Sequence, residues 1–509
     1  MLEEFVSLGK WWLPNKPEVV VPGKLSFSPE SGATLELIGS FYSSHLKEIG
    51  QVKISSIEGE SNLTSGVRLD FIKPEEIIIL GLLDNNEKIT LYRCSGLSSI
   101  SFISFNVEYV FRKIHFEYEQ DIKLKSISVQ YSHLEKWVGK SGMQFSVEEN
   151  EIWMSYQPPS SIHLAKIGSL DLYITFSSVC VYPFYPNAYN ASIEQKTYLT
   201  IQNPCNKPID DCVNLLIKFS DLLSFAMTEA TSVIKVAGKA DVILEKPVQK
   251  ANGDFALEKE ARETQVIIIF GLWNPTKSSE INLSPNELFR FSDIENNLGS
   301  FFEAWINKRE EYEPVFDLLM ATMYASSLYL HYKFLNIIQA LEAYHTSKYE
   351  GSYQDKKIYK KGLYKKFREV LHKFPSESDN QENGISDEFR NALKGKLKNQ
   401  TSFTLETRLK EILNKVSSLL PNKPDFIGNE EDRELFSRRA SETRNALTHH
   451  NKEKRQQAAR GRELFQLFHT LTVILQICLL RELNLPDESI KILVERNRAY
   501  QKEWRPSSN

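Results

Sequence analysis

Arg444, Asn445 and His449 form an R-N-x-x-x-H element inside the stretch Arg438–Asn451, and these residue types suit cleavage of RNA without a metal. In that reaction the ribose 2′-hydroxyl attacks the adjacent phosphorus. One group must take the hydroxyl proton, one must return a proton to the leaving oxygen, and the charge on the phosphate must be stabilised. A histidine of pKa about 6.5 exchanges protons near neutral pH. Arginine stays cationic and offers a planar fork of donors to phosphate oxygens, and asparagine can hold the ring or the phosphate by hydrogen bonds. Arg444, His449 and Asn445 are therefore the catalytic candidates.

The element must sit at a helix end to work. On an ideal helix Asn445 and His449 share a face, whereas Arg444 lies about 140° around from His449. The two cationic groups converge only if His449 occupies a fraying last turn, and Asn451 with the charged residues after it predicts that the helix stops there. His450 is the neighbouring candidate; His449 fits the R-N-x-x-x-H form and stacks above Asn445. One histidine supplies one proton-transfer group at a time, so two copies meeting across a two-fold axis, a homodimer, are expected. The competing reading is a solvated helix end with a histidine at its negative pole.

A second feature is the basic run Lys356–Arg368, in which Lys356, Lys357, Lys360, Lys361, Lys365 and Lys366 interleave with Tyr359, Tyr364 and Phe367. Such a surface can track an RNA backbone and stack bases. Equally, it is an amphipathic helix with its aromatic face in a core and its lysines in water. Arg438 and Arg439, with Lys452, Lys454 and Arg455, add positive charge around the motif.

Composition shifts near residue 295. Before it, short Val-, Ile-, Phe-, Tyr- and Thr-rich runs alternate with Gly, Pro, Asn and Ser breaks, as at Thr34–Ile38, Ile77–Leu82, Lys88–Tyr92, Ser126–Gln130, Lys196–Ile201 and Thr264–Phe270. They predict a mainly antiparallel β-sandwich or jelly-roll-like region over 1–295, interrupted by a helix at Cys212–Met227. Gln157-Pro-Pro-Ser-Ser marks a place, near 150–165, where it could divide in two. After residue 296 the period becomes 3.6. Helices are expected at 298–309, 313–347, 354–374, 385–397, 403–419, 430–450, 455–483 and 486–498, so that 296–509 is an all-helical domain. The fold class is multidomain α+β.

Other classes are excluded. The 509 residues carry a net charge of −4, too small for a general nucleic-acid coat, so RNA contact must come from a local patch. Cys94, Cys180, Cys205, Cys212 and Cys478 are odd in number and irregular in spacing, which argues against a disulfide framework or a cysteine zinc site and suits a reducing cytoplasm. The start has no secretory pattern. Leu464–Leu480 and Phe316–Leu341 are apolar but broken by polar residues, and read as buried bundle helices. There is no phosphate-binding glycine loop, no H-E-x-x-H and no G-x-S-x-G. No metal and no cofactor is expected. His345, His372 and His469 read as structural.

The chain resembles the HEPN superfamily, and within it the ApeA-type abortive-infection proteins of bacteria. Phe334–His345 is similar to the family's early helix with an ALEAYH-like stretch, and Arg444–His449 to its R-N-x-x-x-H motif. Gly9-Lys-Trp-Trp-Leu-Pro14, Val21–Leu25 and Leu35–Gly39 are similar to the opening of the associated N-terminal domain. The resemblance implies a dimeric endoribonuclease of phage defence, acting on RNA, transfer RNA included, with Arg444 and His449 catalytic and Asn445 supporting. Glu342 is then a supporting partner, its alternative being a surface carboxylate. The β-rich region would detect a phage-derived trigger or position the target. Two rivals stand beside this reading: a non-catalytic HEPN module for dimerisation or RNA binding, and a ligand-binding β-sandwich using Trp11, Trp12, Trp137 and Trp153.

Overall fold

A computed structural model describes residues 4–41, 77–98, 103–148, 151–181, 192–202, 204, 208–249, 255–270, 287–325, 327–349, 351–377, 384–398, 400–420, 425–448, 456–497 and 500. The chain divides into two compact units, 1–283 with 289–303, and 284–288 with 304–509.

The first unit carries fourteen described strands: β1 (Phe5–Leu13), β2 (Lys16–Ser28), β3 (Gly32–Leu37), β4 (Ile77–Leu83), β5 (Lys88–Ser98), β6 (Ile103–Arg112), β7 (Ser126–Tyr131), β8 (Met143–Glu148), β9 (Glu151–Tyr156), β10 (Ile162–Ile167), β11 (Leu170–Val181), β12 (Ser192–Gln202), β13 (Val233–Gln249) and β14 (Phe255–Phe270). β6-β3-β2-β1-β4-β5 pair antiparallel in that order, and β5 pairs back onto β6, which closes a six-stranded barrel. Closure leaves these strands with no free edge among themselves. Alternation along β1 and β3 sends Trp11, Leu13, Ala33, Leu35 and Leu37 inward, where they join Leu25, Ile79, Leu91, Phe105 and Val110 in one core. Gly81 is dictated by that filling: a Cβ there would lie 2.2 Å from the Trp11 ring.

β14 pairs with the end of β6, Ile267–Phe270 against Tyr109–Arg112, and starts an open sheet ordered β14-β13-β7-β12-β11-β10. The sandwich-like region expected from the sequence thus takes the form of a barrel sharing a strand with an open sheet. Strands from both sides of residues 150–165 lie in this sheet, since β7 pairs with β12 and β13. Only the separate β8–β9 ribbon spans the proline-containing break's near side. Helix α1 (Ile209–Met227) is the expected one, started three residues earlier after Pro208. Its first-turn Asp210 accepts both Nη1 and Nη2 of Arg93 at 2.8 and 2.6 Å, and the Tyr109 hydroxyl at 2.7 Å. These bonds tie the helix start to the barrel strands.

Among the tryptophans proposed to line a ligand site, Trp11 and Trp137 are buried and Trp153 is exposed on β9. Trp12 packs edge-on against His115. Alternation along β1 turns Trp11 into the core and leaves Trp12 half-buried, so core packing takes Trp11 and Trp137 as expected of most of these rings.

Helices α2 (Leu298–Glu311), α3 (Glu313–Tyr324), α4 (Leu330–Lys348), α5 (Lys356–Lys361), α6 (Leu363–Lys373), α7 (Asp387–Lys398), α8 (Leu405–Val416), α9 (Glu430–Thr448), α10 (Gly461–Glu482) and α11 (Asp487–Arg496) follow. Two helices expected to be continuous are broken. The 313–347 run stops at Ala325, whose ψ of 79° leaves the helical region, and restarts after extended Tyr329. The 354–374 run stops at Gly362, the residue type that resists helix most after proline. Within the second unit α4 packs against α3, α8, α9 and α10. α10 is the one described helix long and apolar enough to cross a membrane by composition; two thirds of it is buried within the fold, 67% of its apolar window.

Candidate active site

The helix carrying the motif, α9, starts with a reciprocal cap. Asn429 Oδ1 accepts from the Asp432 amide at 2.9 Å and Asp432 Oδ2 accepts from the Asn429 amide at 3.0 Å, which satisfies two donors that a helix start leaves open. Glu430 and Glu431 complement its positive end. Phe436, Ser437, Ala440, Thr443 and Ala446 are buried, and that spacing forces Arg444, Asn445 and Thr448 onto the outer face. α9 ends at Thr448. His449 and His450 lie outside the described residues.

Arg444 and Glu342 are brought together. Arg444 Nη2 donates to Glu342 Oε2 at 3.4 Å, both side chains 35% exposed, and Arg444 Nη1 donates to Asn445 Oδ1 at 3.2 Å. An ion pair this long and this wet contributes little to stability, of the order of 0–1 kcal/mol. Its effect is orientation. Among the described residues the Nε–H and one N–H on each terminal nitrogen have no partner, so the fork can still take phosphate oxygens.

One turn further along α4 lies His345, fully buried. Arg408 Nη1 donates to its Nδ1 at 2.9 Å and its Nε2–H donates to Glu411 Oε2 at 3.0 Å. A ring nitrogen that accepts from a guanidinium carries no proton, so this histidine is neutral, with its hydrogen on Nε2. Burial pushes its pKa below the ordinary value, Glu411 pulls it up and Arg408 pushes it down again. Burial opposes ionisation of Glu411, but the hydrogen bond from His345 and the nearby Lys415 hold its carboxyl below the usual range. Gly351 has φ +57° and backs directly on this cluster; a Cβ there would lie 2.7 Å from the Arg408 guanidinium. Arg408 and Glu411 went unnoticed in the sequence. The available signal was Arg408 standing in the buried stripe of α8, between Leu405 and Leu409.

A second buried group, Glu482 at the end of α10, accepts from the Tyr344 hydroxyl at 2.8 Å and lies 3.0 Å from the Lys348 ammonium. Tyr344 is pushed far above its usual range by burial and then by nearby anionic groups. Both clusters satisfy polar groups inside the bundle and hold α4, the helix that presents Glu342.

Arg438 and Arg439 are paired with carboxylates, while Lys452, Lys454 and Arg455 lie outside the described residues. Arg439 makes a two-point ion pair with Glu463 at 2.6 and 2.9 Å and donates to the Gln457 carbonyl. Arg438 is shared between Glu406 and Glu434. Their positive field is cancelled locally. Lys356, Lys357, Lys360, Lys361, Lys365 and Lys366 are exposed and make no ion pair among the described residues. The aromatic residues between them divide: Tyr359 is buried, Tyr364 is half-buried and Phe367 is exposed. No group of three or more metal-binding side chains occurs among the described residues, and the described cysteines, Cys94, Cys180, Cys212 and Cys478, are free.

A β-barrel with an open sheet, followed by a helical bundle whose long α9 presents an outward Arg-Asn pair, defines a two-part protein with a HEPN-type domain. The family described as ApeA N-terminal domain 1 matches residues 7–305, and the one described as Apea-like HEPN matches residues 335–489. The chain belongs to the ApeA-type HEPN proteins. No curated protein and no solved structure matches it. HEPN domains are generally ribonucleases that dimerise and act on RNA.

Proposed function

We propose that the chain is a metal-independent endoribonuclease of bacterial anti-phage defence, acting as a homodimer at an Arg444–Asn445–His449 site. The observation that carries this reading is the Arg444 guanidinium, held by Glu342 and Asn445 on the solvent face of α9 with donors to spare, inside the segment similar to Apea-like HEPN domains.

In this reading Arg444 binds the scissile phosphate and offsets the charge that grows on it. Asn445 keeps the guanidinium aligned, and Glu342 braces it from α4. His449 from one copy takes the 2′-hydroxyl proton, and His449 from the second copy protonates the leaving 5′-oxygen. The products are a 2′,3′-cyclic phosphate and a 5′-hydroxyl. Single-stranded or loop RNA, transfer RNA among it, is the substrate class, and the β-rich unit senses infection or restrains the nuclease. A boundary near residue 295 and a cytoplasmic setting belong to the same proposal.

Purified chain with an RNA mixture, followed by sequencing of the RNA ends, tests this. His449→Ala and Arg444→Ala should each lower cleavage about 100-fold or more with unchanged circular dichroism, while chelator changes nothing. Cleavage that survives both substitutions would leave a non-catalytic HEPN module as the better account.

A further inference from the structure

The described residues between 353 and 401 form an arm on the helical unit, pinched at its base. The Tyr353 amide donates to the Thr401 carbonyl at 2.7 Å and the Phe403 amide to the Gly351 carbonyl at 2.8 Å, with a bridge between Ser352 and Ser402. Inside it α5, α6 and α7 pack in sequence. Tyr359 and Tyr364 lock them by donating to the Leu397 and Lys394 carbonyls at 2.6 and 3.3 Å. Arg390, 8% exposed, closes the end of α6 by donating to the Leu371, Phe374 and Pro375 carbonyls. The arm is therefore built, not a loose excursion.

The arm is basic in a protein of net charge −4: α5 and α6 carry eight lysines and arginines against Asp355 and Glu369, and α7 carries Arg390, Lys394, Lys396 and Lys398 against Asp387 and Glu388. The lysines and Arg368 make no ion pair among the described residues, although charges of both signs are paired across the rest of the bundle. Like charges held close without partners cost free energy, which a bound polyanion recovers.

The cations line a cleft of about 610 Å³ between α6 and α7. Lys365, Arg368 and His372 stand on one wall at i, i+3 and i+7, and Lys394 and Lys398 on the other at i and i+4. Lys360, Tyr364 and Glu369 complete the lining. A second cleft of about 400 Å³ shares Lys360 and Lys398 with the first and runs on to Lys356 and Ser402 at the base of the arm. The two make one track. Unpaired cations on both walls suit the backbone of a nucleic-acid strand, whose phosphates are neutralised from two sides.

We propose that the cleft between α6 and α7 is a separate anchoring site for the phosphate backbone of single-stranded RNA, distinct from the Arg444 site. It rests on the ribonuclease reading only for the choice of RNA. Binding is measured with a fluorescent 2′-O-methyl RNA oligonucleotide, which cannot be cut by 2′-hydroxyl attack, on the full chain. In the variant Lys365→Gln, Arg368→Gln, Lys394→Gln, Lys398→Gln, affinity at low salt should fall at least 30-fold. The slope of log affinity against log salt should flatten by about 2–3, from roughly 0.7 per phosphate released. Glu369→Gln, which removes the acid from the cleft, should tighten binding 2- to 5-fold, so the proposal stays testable even if the fourfold variant folds poorly. Unchanged affinity and slope in a folded fourfold variant would overturn it. So would loss of binding to a polyglutamate probe with RNA binding retained, which would assign the cleft to an acidic protein. His449→Ala is assayed in parallel: cleavage lost with binding still independent of the cleft sinks this proposal alone, and binding lost with cleavage insensitive to His449 sinks the ribonuclease reading alone.

Discussion

His345 shows how a single side chain can be at once unmistakable by type and misleading by position. It lies in the ALEAYH-like stretch three residues after Glu342, yet both its nitrogens are taken by Arg408 and Glu411 inside the bundle. That arrangement has a pH signature. Its folded pKa lies below the ordinary 6.5, so as pH falls through 6.5 the unfolded chain binds a proton that the native state refuses. Stability is thus lost on acidification, by at most about 1.4 kcal/mol per pH unit for one group, until the folded pKa is reached. Glu411, lowered from 4.5, acts in the same direction but only below that pH. The melting temperature should therefore drop between pH 7.5 and 5.5, and in His345→Gln that drop should be visibly shallower. Equal pH dependence in the two proteins would show that the fold leaves the imidazole pKa where the unfolded chain has it. Arg408, Lys415 and the Tyr349 ring are the other groups facing it.

Between the residue and the molecule stand the elements, and here small residues decide. The six-stranded barrel closes because strands β1–β6 return to their start, and its interior has room for Trp11 only because residue 81 has no side chain. Gly81→Ala should overpack the core and destabilise the β unit by about 1–3 kcal/mol, read as an earlier urea midpoint with little change in the helical signal. Trp11→Phe should restore part of that loss when combined with it. Gly362 acts oppositely in the arm, where it divides one amphipathic run into α5 and α6 and thereby turns Lys365, Arg368 and His372 toward α7. Neither consequence is visible from strand or helix propensity alone, because both depend on what lies across the gap.

At the scale of the whole molecule, the proposed chemistry needs two histidines near one phosphate, and one chain offers one. Activity should therefore depend on chain concentration: specific cleavage ought to fall on dilution in step with the dimer fraction seen by analytical ultracentrifugation. Constant specific activity across a monomer–dimer transition would remove the two-copy mechanism while leaving Arg444 in place. The β unit enters at this scale as well, since its barrel and sheet hold none of the candidate catalytic residues and so would act by recognition or restraint.

What was legible in the sequence followed from local physics. Period-2 runs before residue 295 and period-3.6 runs after it announced a β-rich part and a helical part, because side-chain direction along a strand or helix is set by neighbours in the chain. Arg444 and Asn445 could be singled out by type and spacing and Glu342 through the family resemblance, and the fold does put Arg444 beside Glu342, 102 residues apart in sequence. The closing of the barrel, the breaks at Ala325 and Gly362, the Glu463 and Glu434 partners that cancel Arg439 and Arg438, and the Arg408–His345–Glu411 cluster could not be read this way. Each is a meeting of residues distant along the chain, and whether a charge stays free or is paired, or a ring is buried or exposed, is decided only when the elements carrying them pack.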